Sequence, residues 1–478
     1  MAIGWILLGL IGILAVVIAV RTVIFKPEIT SHKVFESIPF DKEKALDHFS
    51  ELLKIKTITY HEAAFIDDDA FETFKKTLKS LYPLVHEKLA IHYIEKRGIL
   101  MHWCGSAADK PLVLMSHYDV VPVNEDKWSV PPFSGHIDDT FIWGRGTIDT
   151  KLTLVGILEA AETLLEKSFV PAQDIYFSFG GDEEISGDAA PAIVSYLKEK
   201  DIRPYLVVDE GGAIVSGVFP GVEKPCAFVG IGEKGYIDLE VSLSGKGGHS
   251  SSPPPKTLTQ ELARAITRLE KKPLDAEISL PARALFDTLG RHSTLMYRII
   301  FANLWCFSPL LKWQFKRSGG EMNALIRSTV SVTMLTGSKA YNILPSEVRM
   351  GINVRLLEKD KVDDVIKRVR DLLGKTFHIK IVESREASPY TSVDGEQWTF
   401  FKEAIESVYS GVAVSPYLML GASDSRHYAA IAEAVLRFSP MVLTPDELSR
   451  MHSHDERVSK ENYYQAIDFF IYLMTRYK

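Results

Sequence analysis

The stretch Pro111-Leu112-Val113-Leu114-Met115-Ser116-His117-Tyr118-Asp119 is an apolar run that ends in an imidazole and a carboxylate. A second run, Pro204-Tyr205-Leu206-Val207-Val208, is followed directly by Asp209. Ligand crevices of open α/β sheets lie outside the carboxyl ends of the strands, so charged residues at strand ends predict a site there. The further candidates are Asp149 after Gly144-Arg145-Gly146-Thr147-Ile148, the pair Glu183-Glu184 after Gly181-Asp182, and the late His452.

The first two hundred residues past the N-terminus alternate between strand-like and helical patterns. A helical spacing of apolar residues predicts helices over Asp41–Leu53, Ala70–Leu81 and Lys151–Leu165. The predicted strands are Ile91–Tyr93, Leu112–Met115, Ile175–Phe179, Tyr205–Val208 and Ala227–Val229. This alternation is typical of an α/β fold with a doubly wound, mostly parallel sheet.

A second, α+β unit is predicted after about residue 235. Tyr236–Leu243 alternates apolar and polar residues with period two, which indicates a strand with one open face. The other elements predicted there are helices over Thr257–Leu269 and Val362–Leu373 and strands over Ser328–Leu335 and Glu347–Leu356. Because His452 must return to meet His117, we expect this unit to be an insertion. The predicted catalytic domain is therefore 41–234 plus 384–478, and the inserted domain is 235–383.

The N-terminus is apolar from Ile3 to Val20, with no charge before Arg21. At about 1.5 Å per residue this length can cross a bilayer core of about 30 Å. The absence of a basic n-region and of a clear small-x-small site favours an uncleaved single-pass anchor (1–25) with a tether (26–40) over a cleaved signal peptide. The basic residues Arg21, Lys26 and Lys33 favour a cytoplasmic body, but a large following domain can override this bias, so the side of the membrane stays open.

Composition limits the partners of the chain. The 478 residues are 46% hydrophobic, which is enough for a large core and more than one domain. A net charge of −7 and the lack of a basic stripe argue against nucleic acid and favour a small or lipid-like substrate. The three cysteines are scattered and form no disulfide framework or metal-type spacing.

The stretch from about 285 to 315 in the predicted insertion is unusually apolar and aromatic. One interpretation is a pair of core helices. The other is a hydrophobic wall that contacts a membrane or binds an acyl chain.

The charged residues suit a site for two divalent ions, which lie about 3.5–4 Å apart and need a bridging carboxylate. We predict Asp149 as the bridge, His117 and Asp209 as ligands of one ion, and Glu184 and His452 as ligands of the other. Asp119, two residues beyond His117, is expected to accept the second imidazole N–H of that histidine. Imidazole and carboxylate ligands without cysteine favour zinc, and cobalt or manganese fit the same set.

Glu183 is predicted to be the general base. Adjacent residues of an extended segment point in opposite directions, so Glu183 and Glu184 are not expected to serve one ion equally. A carboxylate beside the ions can take a proton from water and return it to the leaving nitrogen. The neighbouring glycines Gly180, Gly181 and Gly187 allow the turn to pass close to the metals.

The motifs together resemble a family, the di-zinc exopeptidases and aminoacylases that include carboxypeptidase S, carboxypeptidase G, aminoacylase-1 and succinyl-diaminopimelate desuccinylase. The Asp-Glu-Gly-Gly string, the anchor and the apolar insert are most similar to the carboxypeptidase S branch, which also contains N-fatty-acyl-amino-acid synthase/hydrolases. The matching segments are 116–123, Trp128 with 132–135, 144–151, 181–184, 209–212, 248–251 and the C-terminal His452.

The resemblance implies further site residues and an assembly. His249 matches a lid histidine that stabilises an oxyanion, sometimes in a partner subunit. Asn342 and Arg355 resemble lid residues that bind the substrate carboxylate, for which Arg is well suited. Gly421 and Ser423 lie in a string similar to the family's Gly-x-Thr/Ser-Asp-Ser-Arg loop near the substrate. The inserted domain is accordingly expected to act as a lid and to mediate a homodimer.

The sequence thus predicts a membrane-anchored, two-zinc amidohydrolase that cleaves an amide next to a free carboxylate. The substrate would be an N-acyl amino acid, with a long acyl chain favoured by the apolar insert, or a C-terminal peptide bond. Because amide hydrolysis is reversible, the same site could also form the conjugate. The alternatives are a carboxypeptidase or dipeptidase for short peptides, and a catalytically silent membrane protein that binds such molecules.

Overall fold

The computed structural model describes residues 2–27, 33–217, 219 and 221–478. Its helices are α1 (Ala2–Ile24), α2 (Lys42–Leu53), α3 (Asp68–Leu81), α4 (Pro83–Lys88), α5 (Lys151–Glu166), α6 (Ala189–Glu199), α7 (Leu258–Lys271), α8 (Leu280–His292), α9 (Leu295–Ala302), α10 (Leu304–Ser318), α11 (Gly320–Leu325), α12 (Val362–Leu373), α13 (Glu396–Val408), α14 (Pro445–Leu448) and α15 (Lys460–Arg476).

The strands divide between one large sheet and three small ones. They are β1 (Ala90–Ile94), β2 (Gly98–Trp103), β3 (Ala107–His117), β4 (Phe141–Trp143), β5 (Gln173–Gly180), β6 (Leu206–Val215), β7 (Cys226–Glu233), β8 (Gly235–Ser244), β9 (Gly248–His249), β10 (Thr329–Thr336), β11 (Ile343–Leu344), β12 (Glu347–Leu356), β13 (His378–Arg385), β14 (Ala413–Met419), β15 (Val435–Leu443) and β16 (Arg457–Ser459).

The large sheet has the order β1-β2-β5-β3-β6-β15-β7-β14. Its four central strands, β5, β3, β6 and β15, are parallel to one another. At the edges β2 runs antiparallel to β5, and β7 runs antiparallel to β6 and β15. The sheet is therefore mixed and mostly parallel, which confirms the α/β prediction at that level.

Helices cover both faces of the central strands. Leu112 and Leu114 of β3 belong to a core that includes α5 and α15, whereas Val113 and Met115 pack in a second core with Ile193 of α6. Continuous apolar strands are typical of parallel sheets that are buried on both faces. Residues Leu112–Met115 of β3 thus face the helices on both sides, and the imidazole of His117 comes at the end of the strand.

The chain between β7 and α13 forms a separate sheet with its own core. Strands β10, β12, β8 and β13 pair antiparallel in that order. One face carries Ile237, Leu239 and Val241, which pack against helices α7 and α12. This matches the period-two pattern of β8 and the two helices predicted over Thr257–Leu269 and Val362–Leu373.

The apolar stretch forms helices α8, α9 and α10, which pack on the large sheet's β14 side and on the end of α1. Phe286, Phe301 and Phe315 form a core with Phe25, the residue just after α1. The helices extend beyond the predicted bounds, over 280–318. The core-helix interpretation accounts for α8, whereas α9 and α10 also expose several large apolar side chains.

The predicted tether falls partly outside the described residues, since 28–32 are not described. Its described part, 33–40, lies against the body of the protein. The Phe35 backbone N–H donates to the Ser407 carbonyl at 2.9 Å, and the Ser37 hydroxyl donates to Asp468 at 2.6 Å. This segment is therefore fixed to α13 and α15 rather than a free linker.

Candidate metal centre

Four loops and strand ends bring ionisable side chains together beyond the central parallel strands. His117 is the last residue of β3, and Asp149 stands just before α5. Glu183 and Glu184 begin a short 3₁₀ turn after β5, and His452 lies in the turn between α14 and β16. These segments meet at one edge of the large sheet, as expected for charged residues near the carboxyl ends of parallel strands.

Asp149 lies between the two imidazoles. Its Oδ1 is 3.0 Å from His117 Nε2, and its Oδ2 is 2.8 Å from His452 Nε2. Glu184 Oε2 is 3.2 Å from the same His452 nitrogen. Each oxygen of one carboxylate thus faces a different histidine, which is the arrangement expected of a bridging ligand.

Two overlapping groups of donor atoms have the spacing of metal ligands. In His117, Asp149 and Glu184, and again in His117, Glu183 and Glu210, the donor atoms lie within 4.8 Å of one another. Glu184 Oε1 is buried without a hydrogen-bond partner in the described structure. Buried carboxylates need a counter-charge, and a mixed imidazole and carboxylate set is suited to zinc. The residues present therefore fit two divalent ions.

The electrostatics of the cluster support this fit. Burial raises the pKa of Glu210 to about 8, against the opposing effect of His117. Burial also raises the pKa of Glu183 well above its usual range. Hydrogen bonds to Asp149 and Glu184 raise the pKa of His452 to about 10. The carboxylates and imidazoles of the cluster thus favour added positive charge, which divalent cations would supply.

The structure differs from the sequence prediction at one ligand, because it brings Glu210 rather than Asp209 to the cluster. Glu210 Oε1 is 3.4 Å from His117 Nε2, whereas Asp209 Oδ2 accepts the backbone N–H of Ser425 at 2.9 Å. Strand β6 does not end before Asp209 but continues to Val215. Side chains alternate along a strand, so Asp209 and Glu210 point to opposite sides.

Asp119 holds both His117 and the turn of the paired glutamates. His117 Nδ1 lies 3.0 Å from the backbone oxygen of Asp119 and 3.4 Å from its Oδ1. The same carboxylate accepts the backbone N–H groups of Glu183 and Glu184 and the hydroxyl of Thr59. A fixed Nδ1 partner leaves Nε2 for the metal, as is usual for metal-ligating histidines.

The sequence predicts that the paired glutamates lie in an extended segment, but in the structure they lie in a 3₁₀ turn. Their 3₁₀ turn directs both side chains into the cluster, Glu184 to Asp149 and His452, and Glu183 to His117 and Glu210. Arg426 Nη1 is 3.9 Å from Glu183 Oε1. The two carboxylates have distinct partners, which preserves the distinct roles assigned to them.

A buried ion pair shapes the loop that carries Asp149. Glu456 is fully buried, pairs with Arg145, and accepts backbone N–H groups from Gly146 at 3.0 Å and Ile148 at 2.7 Å. It also accepts the N–H of Asp149 at 3.3 Å. Sequence reasoning gave this residue no role, although it stands four residues after His452.

The Gly421–Arg426 loop lies beside the metal centre. Ser423 donates its hydroxyl to Glu233 at 2.9 Å, and Glu233 in turn pairs with the buried Arg437. Gly421 lies on the same loop, where an added Cβ would meet only the end of Met419. Ser423 therefore fixes the loop, and Arg426 is the member of the loop that approaches Glu183.

The structure does not bring His249, Asn342 and Arg355 to the metal centre of the same chain. His249 is exposed, and its ring nitrogen lies 2.8 Å from the Ser251 hydroxyl. The Asn342 carbonyl accepts the Ser250 N–H, and Arg355 stacks on Tyr236 at 5.5 Å. All three belong to the inserted sheet or its hairpin, so in the described chain they have no contact with the metal centre.

Comparison with known proteins identifies the class. The family model described as Peptidase family M20/M25/M40 matches residues 113–476. The chain belongs to this peptidase family and is a hydrolase. Its sequence is also similar to carboxypeptidase S-like proteins and N-fatty-acyl-amino acid synthase/hydrolases, which confirms the family and branch that the motifs indicated.

Two curated relatives and one solved structure illustrate the match. Probable carboxypeptidase S-like 2 of Dictyostelium discoideum is 38% identical over 88% of this chain and 82% of its own. N-fatty-acyl-amino acid synthase/hydrolase PM20D1.1 of Danio rerio is 33% identical over 91% and 86%. The M20 family metallo-carboxypeptidase Sso-CP2 from Sulfolobus solfataricus aligns with a TM-score of 0.65 and 21% identity, covering 90% of this chain and 98% of that one.

A pair of conservative variants separates the two candidate ligands of β6. We expect Glu210→Gln to lower the number of bound divalent metal ions by one per chain, because it removes an anionic oxygen that faces His117. Asp209→Asn should retain both ions, since the Asp209 carboxylate accepts N–H groups on the other side of the strand. Metal analysis of both proteins after gel filtration measures the difference. Loss of an ion from the Asp209 variant alone would restore the sequence-based assignment.

Proposed function

We propose that the protein is a two-zinc amidohydrolase that cleaves an amide bond adjacent to a free carboxylate. The observation that carries the proposal is the position of Asp149, with one oxygen toward His117 and the other toward His452. The proposed ligands are His117, Asp149, Glu184, Glu210 and His452. Cobalt or manganese would fit the same oxygen and nitrogen donors.

When bound, the ions would activate a water molecule and polarise the scissile carbonyl. Glu183 would act as general base and then as general acid, taking a proton from that water and delivering it to the leaving nitrogen. Its buried position raises its pKa, which suits a carboxylate that must both accept and donate a proton. Asp119 would position His117 and both glutamates.

We propose N-acyl amino acids, including long-chain fatty acyl conjugates, as the substrate class. A relative named N-fatty-acyl-amino acid synthase/hydrolase supports this choice, and so does the apolar helical segment α8–α10. Reversal of the same reaction would form the conjugate from its parts. The similarity to carboxypeptidase S-like proteins favours peptide C-termini as the second candidate substrate.

We propose that α1 is a retained, single-pass membrane anchor. Residues Ile3–Ile24 have a mean hydropathy of 2.9, and the most apolar window is entirely unburied. The end of the helix is different, because Thr22 and Phe25 are buried against the α8–α10 segment. A segment to be removed by cleavage has no need of such packing, so these contacts support retention.

We also propose that the inserted sheet mediates a homodimer. His249 and Asn342 are exposed on this unit, and Met334 and Leu335 of β10 are 65% and 61% exposed. In a dimer, His249, Asn342 and Arg355 of one chain would be available to the substrate in its partner. The mass of the protein in lipid nanodiscs, measured by multi-angle light scattering, tests the assembly.

The substrate assignment is tested with N-oleoyl-, N-acetyl- and peptide-linked phenylalanine and leucine. Zinc-loaded protein is expected to release free amino acid from the oleoyl conjugates, and a chelator should abolish the release. Preference for the dipeptides would favour the carboxypeptidase alternative. Absence of cleavage by protein with both ions bound would contradict the enzyme proposal and favour a binding protein.

A further inference from the structure

The junction of α9 and α10 touches α1 within its apolar span. Arg21 Nε donates to the Ala302 carbonyl at 3.1 Å. The Asn303 amide lies 3.4 Å from the Ile18 carbonyl and 3.3 Å from the Thr22 hydroxyl. Ile18 is six residues before the end of the helix, so the contact extends below the last turn of the anchor.

The contact with α1 sets the depth of α9 and α10 along the membrane normal. The span Ile3–Ile24 contains 22 residues. At about 1.5 Å per residue it is about 33 Å long, close to the hydrocarbon thickness of about 30 Å. A segment that touches the helix at Ile18 lies about 9 Å from the helix end. The α9–α10 junction therefore meets the anchor about 9 Å below the end of the span, within the roughly 5–10 Å that interfacial amphipathic helices reach into a bilayer.

The outer face of α10 is apolar where it leaves this junction. Trp305, Leu310 and Trp313 are 56%, 50% and 55% exposed, and on the opposite face Leu311 and Phe315 are buried in the core with Phe286. Leu295 and Met296, at the start of α9, are also exposed. Trp305 and Trp313 are two turns apart and share a face of the helix. The protein core does not account for these exposed side chains.

The far end of α10 is basic. Lys312, Lys316 and Arg317 lie in its last two turns, and no acidic residue occurs between Asp287 and Glu321 in the sequence. The Arg317 guanidinium stacks on Trp313 at 5.0 Å. Tryptophan is enriched at membrane interfaces, and basic side chains beside it are attracted to anionic headgroups.

We infer that α9 and α10 form a second membrane contact, lying in the interface of the leaflet from which α1 emerges. The exposed apolar face, Trp305, Leu310 and Trp313, inserts among the acyl chains, and the basic end of α10 contacts anionic phospholipid headgroups. This inference rests on the proposed anchor. The proposed partner of this apolar face is the lipid bilayer, because the anchor α1 holds the face at the membrane surface.

The test places an environment-sensitive fluorophore at chosen positions of the full-length protein in phosphatidylcholine and phosphatidylserine vesicles. Cys104→Ser and Cys306→Ser remove the accessible thiols, while Cys226 is buried. Single cysteines then replace Ile13 in the anchor, Leu310 on α10 and Tyr341 on the inserted unit. All three side chains are exposed in the described structure, at 64%, 50% and 108%, so the fold should tolerate the changes.

Lipids brominated on their acyl chains quench a fluorophore that lies within the membrane. We expect strong quenching and blue-shifted emission at positions 13 and 310, and no quenching at 341. Quenching at position 13 without quenching at position 310 would overturn the interfacial contact while leaving the anchor intact. No quenching at 13 would overturn both. Because the readout is independent of turnover, it does not depend on the substrate assignment.

Discussion

Glu183→Gln is expected to lower kcat by about 10²–10⁴-fold, the usual contribution of a general acid–base group. The amide keeps the size of the side chain but can no longer accept the proton of water. Glu183 lies half-buried beside His117 and Glu210, and Arg426 is 3.9 Å from its carboxylate, so its position at the centre is fixed. Release of free amino acid from the preferred conjugate measures the rate, and metal analysis measures the bound zinc.

The zinc content distinguishes a base from a ligand. We expect the Glu183 variant to retain both ions, unlike Glu210→Gln, which should lose one. Glu199→Gln, an exposed glutamate at the end of α6, is the matched control and should leave kcat unchanged. Near-normal turnover by the Glu183 variant would refute the assignment of the base.

Glu456→Gln is expected to lower the free energy of unfolding by about 3–5 kcal/mol, the usual cost of breaking a buried ion pair by removing one partner. The change leaves the Arg145 guanidinium buried without its counter-charge. It also weakens the acceptor for the N–H groups of Gly146, Ile148 and Asp149. We therefore expect weaker zinc binding as well, because the Asp149 loop loses its support. Urea unfolding, followed by circular dichroism, measures the stability.

The matched control for Glu456 is an exposed carboxylate that also pairs with arginine. Asp446 lies 2.9 Å from Arg450 Nη2 and is 69% exposed. Surface ion pairs contribute about 0–1 kcal/mol, so Asp446→Asn should change the unfolding free energy by no more than that. Equal effects of the two substitutions would show that the buried pair has no special role in holding the Asp149 loop.

The parts of the fold that sequence predicted are those with a local signal. Strands β3 and β5 are apolar runs that end near the charged residues, and β8 has clear period-two alternation. The helices α5 and α12 likewise begin and end within two residues of the predicted bounds. Each of these elements depends mainly on its own pattern of burial, which a short window of sequence contains.

The choice between Asp209 and Glu210 depends on contacts that a short window does not contain. Strand β6 continues through the two glycines because β15 pairs along it with an irregular register, Arg437 opposite Asp209 and Phe438 opposite Gly212. A Cβ on Gly212 would lie 1.8 Å from the Phe228 carbonyl oxygen of β7, so the position requires glycine. The string Asp-Glu-Gly-Gly is part of a strand here, although its glycines resemble a loop.

The supporting ion pairs were missed for the same reason. Arg145 and Glu456 are separated by 311 residues, and Arg437 and Glu233 by 204. Arg145 and Glu456 lie near the ends of strands β4 and β16, which form a small sheet of their own, and Glu233 and Arg437 lie on strands β7 and β15 of the large sheet. None of these residue types is unusual in its local sequence. Only the assembled sheet shows that these side chains are buried together beside the metal centre.

The bridging role of Asp149 can be observed from the positions of the metal ions themselves. Anomalous diffraction at the zinc edge, from crystals of the full-length protein, locates each ion independently of activity. We expect two peaks about 3.5–4 Å apart on either side of the Asp149 carboxylate, one beside His117 and Glu210 and the other beside Glu184 and His452. A single peak, or ions that Asp149 does not bridge, would contradict it.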